Sequence, residues 1–265
     1  MRNQYLKGKV IAITGASSGI GEQTAYKAAE MGALTVLLAR SEDRLAAAAS
    51  RIEKTTGLRP LYFALDVSDP GQVEQVFKTI YEQAGRIDIL VNNAGFGIFE
   101  EFEKAPLDEV KRMFDVNVFG VIACTGMVLP HMKEQKSGHI INVASQAGKL
   151  ATPKSSAYSA TKHAVLGLTN SLRMETVQYG IHVTAVNPGP IKTNFFETAD
   201  KSGSYVKNVE KFMLPAAEVA EKITGAMVKP RREINLPRWM NAGSVLYQLF
   251  PGIVEKVAGN AFRKK

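Results

Sequence analysis

Residues 9–21, KVIAITGASSGIG, decide how this chain folds. The run that ends at Thr14 is apolar and rich in β-branched residues, which favours a buried strand. Gly15, Gly19 and Gly21 follow at once, and a helical pattern comes after them. A glycine-rich turn between a first strand and a first helix lets backbone approach a phosphate at the helix N-terminus. The stretch therefore predicts a nucleotide-binding start, although its G-x-x-x-G-x-G spacing departs from the G-x-G-x-x-G fingerprint.

The alternation of strand and helix continues along the rest of the chain. Strands are predicted at 34–39, 61–65, 87–91, 139–144, 181–186 and 233–236, and helices at 42–54, within 66–84, at 107 to about 132, at 158–179 and at 215–227. Apolar strands that alternate with helices predict a doubly wound parallel sheet of about seven strands, covered on both faces. No linker or internal repeat interrupts the 265 residues. We assign residues 1–240 to one α/β domain and 241–265 to an extension packed on that domain or on a partner subunit.

Composition restricts the class of protein. Apolar residues make up 45% and charged residues 22% of the chain, as in an ordinary soluble globule. Cys124 is the only cysteine, which excludes an intramolecular disulfide and suits the reducing cytoplasm, where we expect the protein. The histidines lack metal-ligand spacing, so no metal site is predicted. The first nine residues lack the apolar core of a signal peptide.

The net charge of +8 is concentrated at the C-terminal end. From Lys229 onward there are eight Lys and Arg against two acids, a surplus of six. The preceding residues are nearly neutral, which argues against a general nucleic-acid-binding surface. Any electrostatic partner is therefore expected at the C-terminal end.

Tyr158 and Lys162 are four residues apart in a predicted helix, so their Cβ atoms should lie about 5–6 Å from each other on one face. A cation beside a phenol favours the phenolate and lowers a pKa that is ordinarily about 10. That shift would suit the phenol for proton transfer. Tyr5 and Lys9 have the same spacing at the start of a predicted strand, where no chemistry is expected. The spacing alone leaves a purely structural pair open.

The end of the second predicted strand distinguishes between cofactors. Dehydrogenases that prefer NAD usually place Asp or Glu there, to accept hydrogen bonds from the adenosine ribose. This chain has Ala39 and Arg40. A guanidinium binds a 2′-phosphate through charge-assisted hydrogen bonds, whereas an acid repels it. Arg40 therefore predicts NADP(H), with a solvated loop residue as the alternative.

Several short motifs, in the expected order, together resemble the short-chain dehydrogenase/reductase family over roughly residues 7 to 240. They are TGASSGIG from Thr14 to Gly21, Asp66 with Val67, NNAG from Asn92 to Gly95, Asn117, Ser145, Tyr158 with Lys162, and PGPIKT from Pro188 to Thr193. Each motif is weak alone, and the combination is specific. The resemblance implies a Rossmann-type fold and an NADP-preferring oxidoreductase that moves hydride between nicotinamide and a carbonyl or alcohol group. It also implies a homo-oligomer, a dimer or tetramer.

The same resemblance gives four residues catalytic roles. Tyr158 would be the general acid or base, and Lys162 would lower the pKa of Tyr158 and bind the nicotinamide ribose. Ser145 would orient the substrate oxygen and stabilise its developing charge. Asn117 would hold a water that links Lys162 to solvent.

The cofactor is expected to touch a larger set of residues. By the resemblance these are Thr14, Gly15, Ser17, Ser18, Gly19, Ile20 and Gly21 at the glycine turn, Asp66 and Val67 at the adenine, Asn92, Ala94 and Gly95 along the site, and Pro188, Gly189, Ile191 and Thr193 at the nicotinamide, together with Arg40, Tyr158 and Lys162. Some NADP-preferring members carry a second basic residue in the glycine turn, where this chain has serines. The 2′-phosphate would then rest mainly on Arg40, helped by Ser41 or Arg44.

The substrate is less well indicated. Residues 190–213 have no clean period, which favours a lid over a ligand. Phe96, Phe99, Leu150, Phe195 and Phe196 are predicted near the site and favour a hydrophobic ketone, aldehyde or alcohol, although core packing explains each equally well. Two alternatives stay open: a reductase of carrier-protein-linked 3-oxoacyl groups, and a non-catalytic NADP-sensing protein.

Residues 245–257, VLYQLFPGIVEKV, are apolar with flanking cations. They are too short and too interrupted to span a bilayer. Burial at a subunit interface or over the pocket is the favoured interpretation, and contact with a membrane surface is the alternative.

Overall fold

The computed structural model describes residues 4–200 and 203–262. Within these residues the central sheet is formed by β1 (Val10–Thr14), β2 (Leu34–Ala39), β3 (Leu61–Ala64), β4 (Ile89–Asn92), β5 (Gly138–Val143), β6 (Ile181–Pro188) and β9 (Glu233–Leu236). All seven strands are parallel, in the order β3-β2-β1-β4-β5-β6-β9. A separate parallel pair joins β7 (Ile191–Lys192) to β8 (Leu214–Pro215). The predicted doubly wound parallel sheet is confirmed.

Helices cover both faces of the sheet. The described helices are α1 (Gly19–Glu30), α2 (Glu42–Thr56), α3 (Pro70–Ala84), α4 (Leu107–Phe114), α5 (Gly120–Glu134), α6 (Ser156–Thr176), α7 (Phe195–Ala199), α8 (Ser204–Val209), α9 (Ala216–Val228), α10 (Arg238–Leu249) and α11 (Pro251–Phe262). Local sequence fixes several of their ends. Asp69 caps α3 by accepting hydrogen bonds from the backbone amides of Gly71 and Gln72, and Pro70 begins the helix. A left-handed glycine, Gly85, ends it.

The two faces of the sheet bury separate apolar cores because successive strand side chains point to opposite sides. Ile11 and Ile13 of β1 pack with residues of α1, α2 and α9. Val10 and Ala12 of the same strand pack with residues of α3, α5 and α6. Every residue of β1 is therefore buried, which explains why the strands appear as continuous apolar runs.

The chain order places a crevice at one edge of the sheet. After β1 the chain builds outward through β2 and β3, and then returns to add β4 on the other side of β1. Ligands of such sheets bind where the strand order reverses, outside the carboxyl ends of the strands. The site is therefore expected above β1 and β4.

The structure differs from the prediction in three places. The long helix from 107 is interrupted by a π turn at Asp115–Phe119, so it forms α4 and α5. Residues 190–213 contain β7, α7, α8 and a 3-10 turn. Each of these elements is too short to show a hydrophobic period in the sequence. The tail forms the helices α10 and α11. Lys201 and Ser202 of the predicted lid, residues 1–3, and Arg263 to Lys265 of the tail lie outside the described residues.

One helical run in the described chain, Leu107–Glu134, is long enough to cross a membrane and contains an 18-residue window of mean hydropathy 1.6, of which 44% is buried. This run is α4, the π turn and α5. Val128 and Met132 are fully buried against the sheet. The run is therefore interpreted as a core helix.

Candidate active site

The carboxyl ends of the central strands open into a cavity of about 1050 Å³. Sixteen of the nineteen residues predicted to bind a cofactor line it, and so does Ser145. Thr14, Gly21 and Asn92 do not, and neither does Asn117. The fold therefore brings most of the predicted site together and assigns these four residues to its support.

The glycine turn between β1 and α1 has a backbone that only glycine adopts easily. Gly15 and Gly19 have φ values of 66° and 57°, in the left-handed region. A Cβ on Gly21 would lie 2.4 Å from the carbonyl oxygen of Gly15, so Gly21 supports the turn from behind. The turn thus presents backbone to the cavity at the N-terminus of α1, a favourable place for a pyrophosphate.

Hydrogen bonds fix the glycine turn to the end of β4. The Thr14 hydroxyl accepts from the backbone amides of Asn93 and Ala94, each at 3.0 Å. The Asn93 side chain donates to the carbonyl oxygen of Thr14 at 3.0 Å. Thr14 and Asn93 therefore shape the cofactor site. The family resemblance implies that the NNAG motif, which includes Asn93, supports the central sheet and lines the cofactor site.

Asn92 was predicted among the cofactor residues as part of the NNAG motif, to which the family resemblance also gives the role of supporting the central sheet. It is 2% exposed, and its Nδ2 donates to Oγ1 of Thr125 at 3.0 Å and to Oδ1 of Asn142 at 2.8 Å. These partners tie β4 to α5 and to β5. Since side chains alternate along a strand, Asn92 points into the layer under α5.

Arg40 is the first residue after β2 and lies exposed at the cavity wall. Ser41 and Arg44 line the same wall. Asp66 and Val67, which follow β3, also line the cavity. This end of the cavity therefore offers two guanidinium groups to an anion, as the NADP(H) prediction requires.

Tyr158 lies in the first turn of α6 and is 7% exposed. Burial raises the pKa of its phenol to about 12, and a hydrogen bond with Ser145 offsets part of that increase. Ser145 directly precedes a 3-10 turn after β5, and its hydroxyl accepts from the amide of Ala147 at 3.0 Å. The phenol and the hydroxyl are thus held together at the carboxyl end of β5.

Lys162 follows one helical turn later. Its Nζ donates to the carbonyl oxygen of Val143 at 3.0 Å and lies 5.7 Å from the centroid of the Tyr158 ring. Burial lowers the pKa of Lys162 to about 8. Burial is therefore the main influence on the pKa of the Tyr158 phenol in this structure. The lowering of that pKa by Lys162 stays a prediction.

Asn117 lies in the π turn between α4 and α5 and is 1% exposed. Its Nδ2 donates to the carbonyl oxygen of Phe96 at 2.8 Å and to Oγ1 of Thr161 at 3.1 Å. A Cβ on Gly95 would lie 3.0 Å from Asn117 Oδ1 and 3.6 Å from Lys162 Nζ. Asn117 therefore packs beside Lys162 across Gly95. Because both Nδ2 hydrogens are used, the predicted water would bind another atom of Asn117.

Aromatic rings form the wall beside Tyr158. The ring of Phe99 lies 5.7 Å from that of Tyr158, 6.3 Å from Phe195 and from Phe196, and 4.9 Å from Tyr205, measured between centroids. The predicted apolar residues Phe96 and Leu150 also line the cavity. Tyr205 belongs to α8, in the segment without a period, so no sequence signal pointed to it.

A polar network behind Ser145 was also missed. Gln146 is 4% exposed and donates from Nε2 to the carbonyl oxygen of Asn187 at 3.0 Å. Asn187 in turn donates to Asn235 at 2.9 Å, and Lys149 pairs with Glu233. The turn that carries Ser145 is therefore bonded to the ends of β6 and β9. Only tertiary structure joins these residues, which are far apart in the chain.

Among the described residues, no group of three or more His, Cys, Asp and Glu side chains is placed to hold a metal ion. The polar groups that converge at the carboxyl end of β5 are the Tyr158 phenol, the Ser145 hydroxyl and the Lys162 ammonium. Such groups bind and protonate an oxygen without being typical metal ligands.

Comparison with known proteins gives consistent results. The short chain dehydrogenase family model matches residues 9–203. An uncharacterized oxidoreductase of Staphylococcus saprophyticus is 44% identical over 191 residues, 71% of this chain and 76% of that protein.

Two solved structures resemble the fold closely. One is an alcohol dehydrogenase of Thermococcus sibiricus complexed with 5-hydroxy-NADP, with 31% identity and a TM-score of 0.77 over 86% of this chain and 94% of that chain. The other is a short chain dehydrogenase/reductase of Burkholderia phymatum in complex with NAD, with 27% identity and a TM-score of 0.86 over 94% of this chain and 96% of that chain.

Proposed function

This chain belongs to the short-chain dehydrogenase family of oxidoreductases, and we propose that it transfers hydride between NADP(H) and the carbonyl or alcohol carbon of an apolar substrate. The observation that carries the proposal is the placement of Tyr158, Ser145 and Lys162 in the same cavity as Arg40. Strands β2 and β5 are three strand spacings apart, about 14 Å, with the glycine turn between them. An extended dinucleotide fits that arrangement, with its 2′-phosphate at Arg40 and its nicotinamide at Tyr158.

The choice of NADP(H) rests on the charge at the end of β2. The related structures were solved with an NADP derivative in one case and with NAD in the other, so membership of the family leaves the cofactor open. Arg40 and Arg44 line this chain's cavity without an acid directly after β2. Two guanidinium groups favour the additional phosphate of NADP(H).

The protonation states favour carbonyl reduction. The bound nicotinamide supplies the hydride, and Tyr158 supplies the proton to the carbonyl oxygen. A phenol with a pKa of about 12 is protonated at neutral pH, as a general acid must be. The Ser145 hydroxyl donates a hydrogen bond to the developing oxyanion, and the Lys162 ammonium stabilises the phenolate left behind. The carbonyl oxygen of Val143 accepts a hydrogen bond from Lys162 Nζ and holds the ammonium in position.

The apolar wall supports the proposed substrate class. Phe99, Phe195, Phe196 and Tyr205 surround the side of the cavity nearest the Tyr158 ring. Burial of apolar substrate surface against these rings provides affinity, while Tyr158 and Ser145 provide polar contacts to one oxygen. A hydrophobic ketone or aldehyde meets both requirements.

The proposal is tested by following NADPH oxidation with a panel of apolar and polar carbonyl compounds, free and linked to a carrier protein. Tyr158→Phe should reduce turnover at least about 100-fold, because the proton donor is lost. It should leave NADPH affinity within about two-fold, since the phenol hydroxyl contributes little to cofactor binding. Tyr62→Phe, an exposed phenol outside the cavity, is the matched control and should behave as the wild type. Turnover by Tyr158→Phe at the wild-type rate would reject the mechanism, and activity on carrier-linked compounds alone would reject the substrate class.

A further inference from the structure

We propose that α10 and α11 form a docking surface for an anionic lipid membrane. This proposal does not depend on the catalytic assignment. The C-terminal apolar face consists of Trp239, Leu246, Leu249, Phe250, Ile253 and Val257, whose exposed fractions are 59%, 52%, 67%, 51%, 62% and 80%. Together with Val245, which is 45% exposed, they make seven large apolar side chains exposed in a run of 19 residues, which is unusual for a soluble surface and marks an interaction site.

The exposed apolar residues of α10 are separate from the side of that helix that packs on the domain. Leu246 and Leu249 are three residues apart on α10, and Ile253 and Val257 are four apart on α11, so each pair shares a helix face. Ser244 of α10 is 1% exposed, and Met240 lines the active-site cavity. The inner side of α10 is thus committed to the domain while its outer apolar side is exposed.

Exposed cations accompany the C-terminal apolar face. Arg238 and Lys256 are exposed on α10 and α11, and Arg263, Lys264 and Lys265 follow α11 in the sequence. The one acid in the sequence from Arg238 onward, Glu255, accepts a hydrogen bond from Tyr247 at 3.1 Å. The face therefore combines apolar side chains with a surplus of positive charge, the composition of helices that lie on anionic membranes.

The charge of the C-terminal end and the length of α10 and α11 favour a membrane surface over the other possible occupants of this face. A symmetric contact between two copies would bring together two C-terminal ends that each carry, from Arg238 onward, five Lys and Arg against one acid. An anionic headgroup layer offsets that charge instead. Each helix has 12 residues, about 18 Å, which is shorter than the roughly 30 Å hydrocarbon core. The helices would therefore lie on the membrane surface and not cross it.

The test is flotation of the full chain with vesicles of pure phosphatidylcholine and of equal parts phosphatidylcholine and phosphatidylserine. Wild-type protein should float with the mixed vesicles and bind the neutral ones at least about ten-fold more weakly, and added salt should weaken binding. The double variant L246E/L249E should bind the mixed vesicles at least about ten-fold more weakly, because two carboxylates replace apolar side chains that would be buried in the lipid. The matched control M174E/V177E changes two equally exposed apolar residues (79% and 70%) elsewhere and should bind as the wild type.

The competing outcomes are distinct. Equal flotation of wild type and L246E/L249E, or equal binding to both vesicle types, would overturn the proposal. A third outcome would also overturn it: the wild type does not float with vesicles and forms a dimer in sedimentation equilibrium, and L246E/L249E abolishes that dimer. That result would assign the face to a contact with a second copy of the chain. If L246E/L249E fails to fold, K256E serves instead, since reversing one exposed charge should weaken binding to the mixed vesicles several-fold. Unchanged binding of K256E would then count against the proposal.

Discussion

Tyr158 and Lys162 show how burial controls chemistry at the scale of single residues. Burial raises the pKa of the phenol to about 12 and lowers that of the ammonium to about 8. Both shifts favour the uncharged form, as expected where solvation is lost. The neutral phenol is then the proton donor, and Lys162 is the group whose charge changes near physiological pH.

The pH dependence of reduction should therefore follow Lys162. We expect kcat/KM for carbonyl reduction to fall above about pH 8, because deprotonated Lys162 no longer stabilises the developing phenolate. Lys162→Met should be slower by at least about ten-fold and should lack this limb of the profile. A limb near the same pH in Lys162→Met would assign the titration to another group.

Arg40 carries the cofactor preference as a single side chain. Replacing it with Asp removes charge-assisted hydrogen bonds to a 2′-phosphate and adds repulsion, so the Kd of NADPH should rise by about 10- to 100-fold. The Kd of NADH should change by less than about three-fold. Fluorescence titration with both cofactors measures this, and Arg59→Asp, the same change at an exposed position outside the cavity, is the control. Equal weakening of both cofactors would remove the basis for NADP(H).

At the scale of elements, two irregular backbones position the site. The glycine turn holds its shape through left-handed residues and the hydrogen bonds of Thr14 and Asn93. The π turn at Asp115–Phe119 widens the helix where Asn117 meets Phe96 and Thr161. Such π turns within helices are frequent at functional sites. Each irregularity places a functional group where a regular element would not.

Two glycine substitutions should distinguish a glycine that close packing requires from a glycine that only adds backbone flexibility. Gly21→Ala would put a Cβ 2.4 Å from the Gly15 carbonyl oxygen, and we expect it to lower the free energy of unfolding by about 1–3 kcal/mol and to weaken cofactor binding. Gly126→Ala in α5 meets nothing within 4 Å and should raise the free energy of unfolding by about 0.5–1 kcal/mol. Urea denaturation measures both. A neutral Gly21→Ala would show that the turn relaxes without cost.

At the scale of the whole molecule, polar side chains of the central sheet are buried along with the two apolar cores. His139 of β5 is 4% exposed and lies opposite His182 of β6. Its Nε2 is 2.8 Å from the hydroxyl of Thr184, which itself donates to the carbonyl oxygen of Arg231 at 2.5 Å. Burial, together with the charge of His182, lowers the pKa of His139 to about 3. The fold therefore keeps this imidazole neutral.

Acid should destabilise the protein through His139. Its folded pKa lies below the unfolded value of about 6.5, so the unfolded state binds more protons between the two values and stability falls as pH falls. Between about pH 7.5 and pH 5 this group should remove about 2 kcal/mol of unfolding free energy. His139→Gln should flatten that part of the dependence, whereas exposed His182→Gln should retain most of it. The same slope in His139→Gln would show that other groups dominate.

Local patterns were sufficient to predict the sheet, the glycine turn and the placement of Arg40 after the second strand, whereas most of the other cavity residues were predicted from the family resemblance. Buried parallel strands need continuous apolar runs, and a phosphate-binding turn needs glycine, so these features are written in adjacent residues. The roles of Asn92 and Gln146, the aromatic contact of Tyr205 and the pKa of Tyr158 were decided only by tertiary structure. Each depends on partners far away in the chain or on the exclusion of water. Sequence determined which groups are present, and burial decided which of them carry charge.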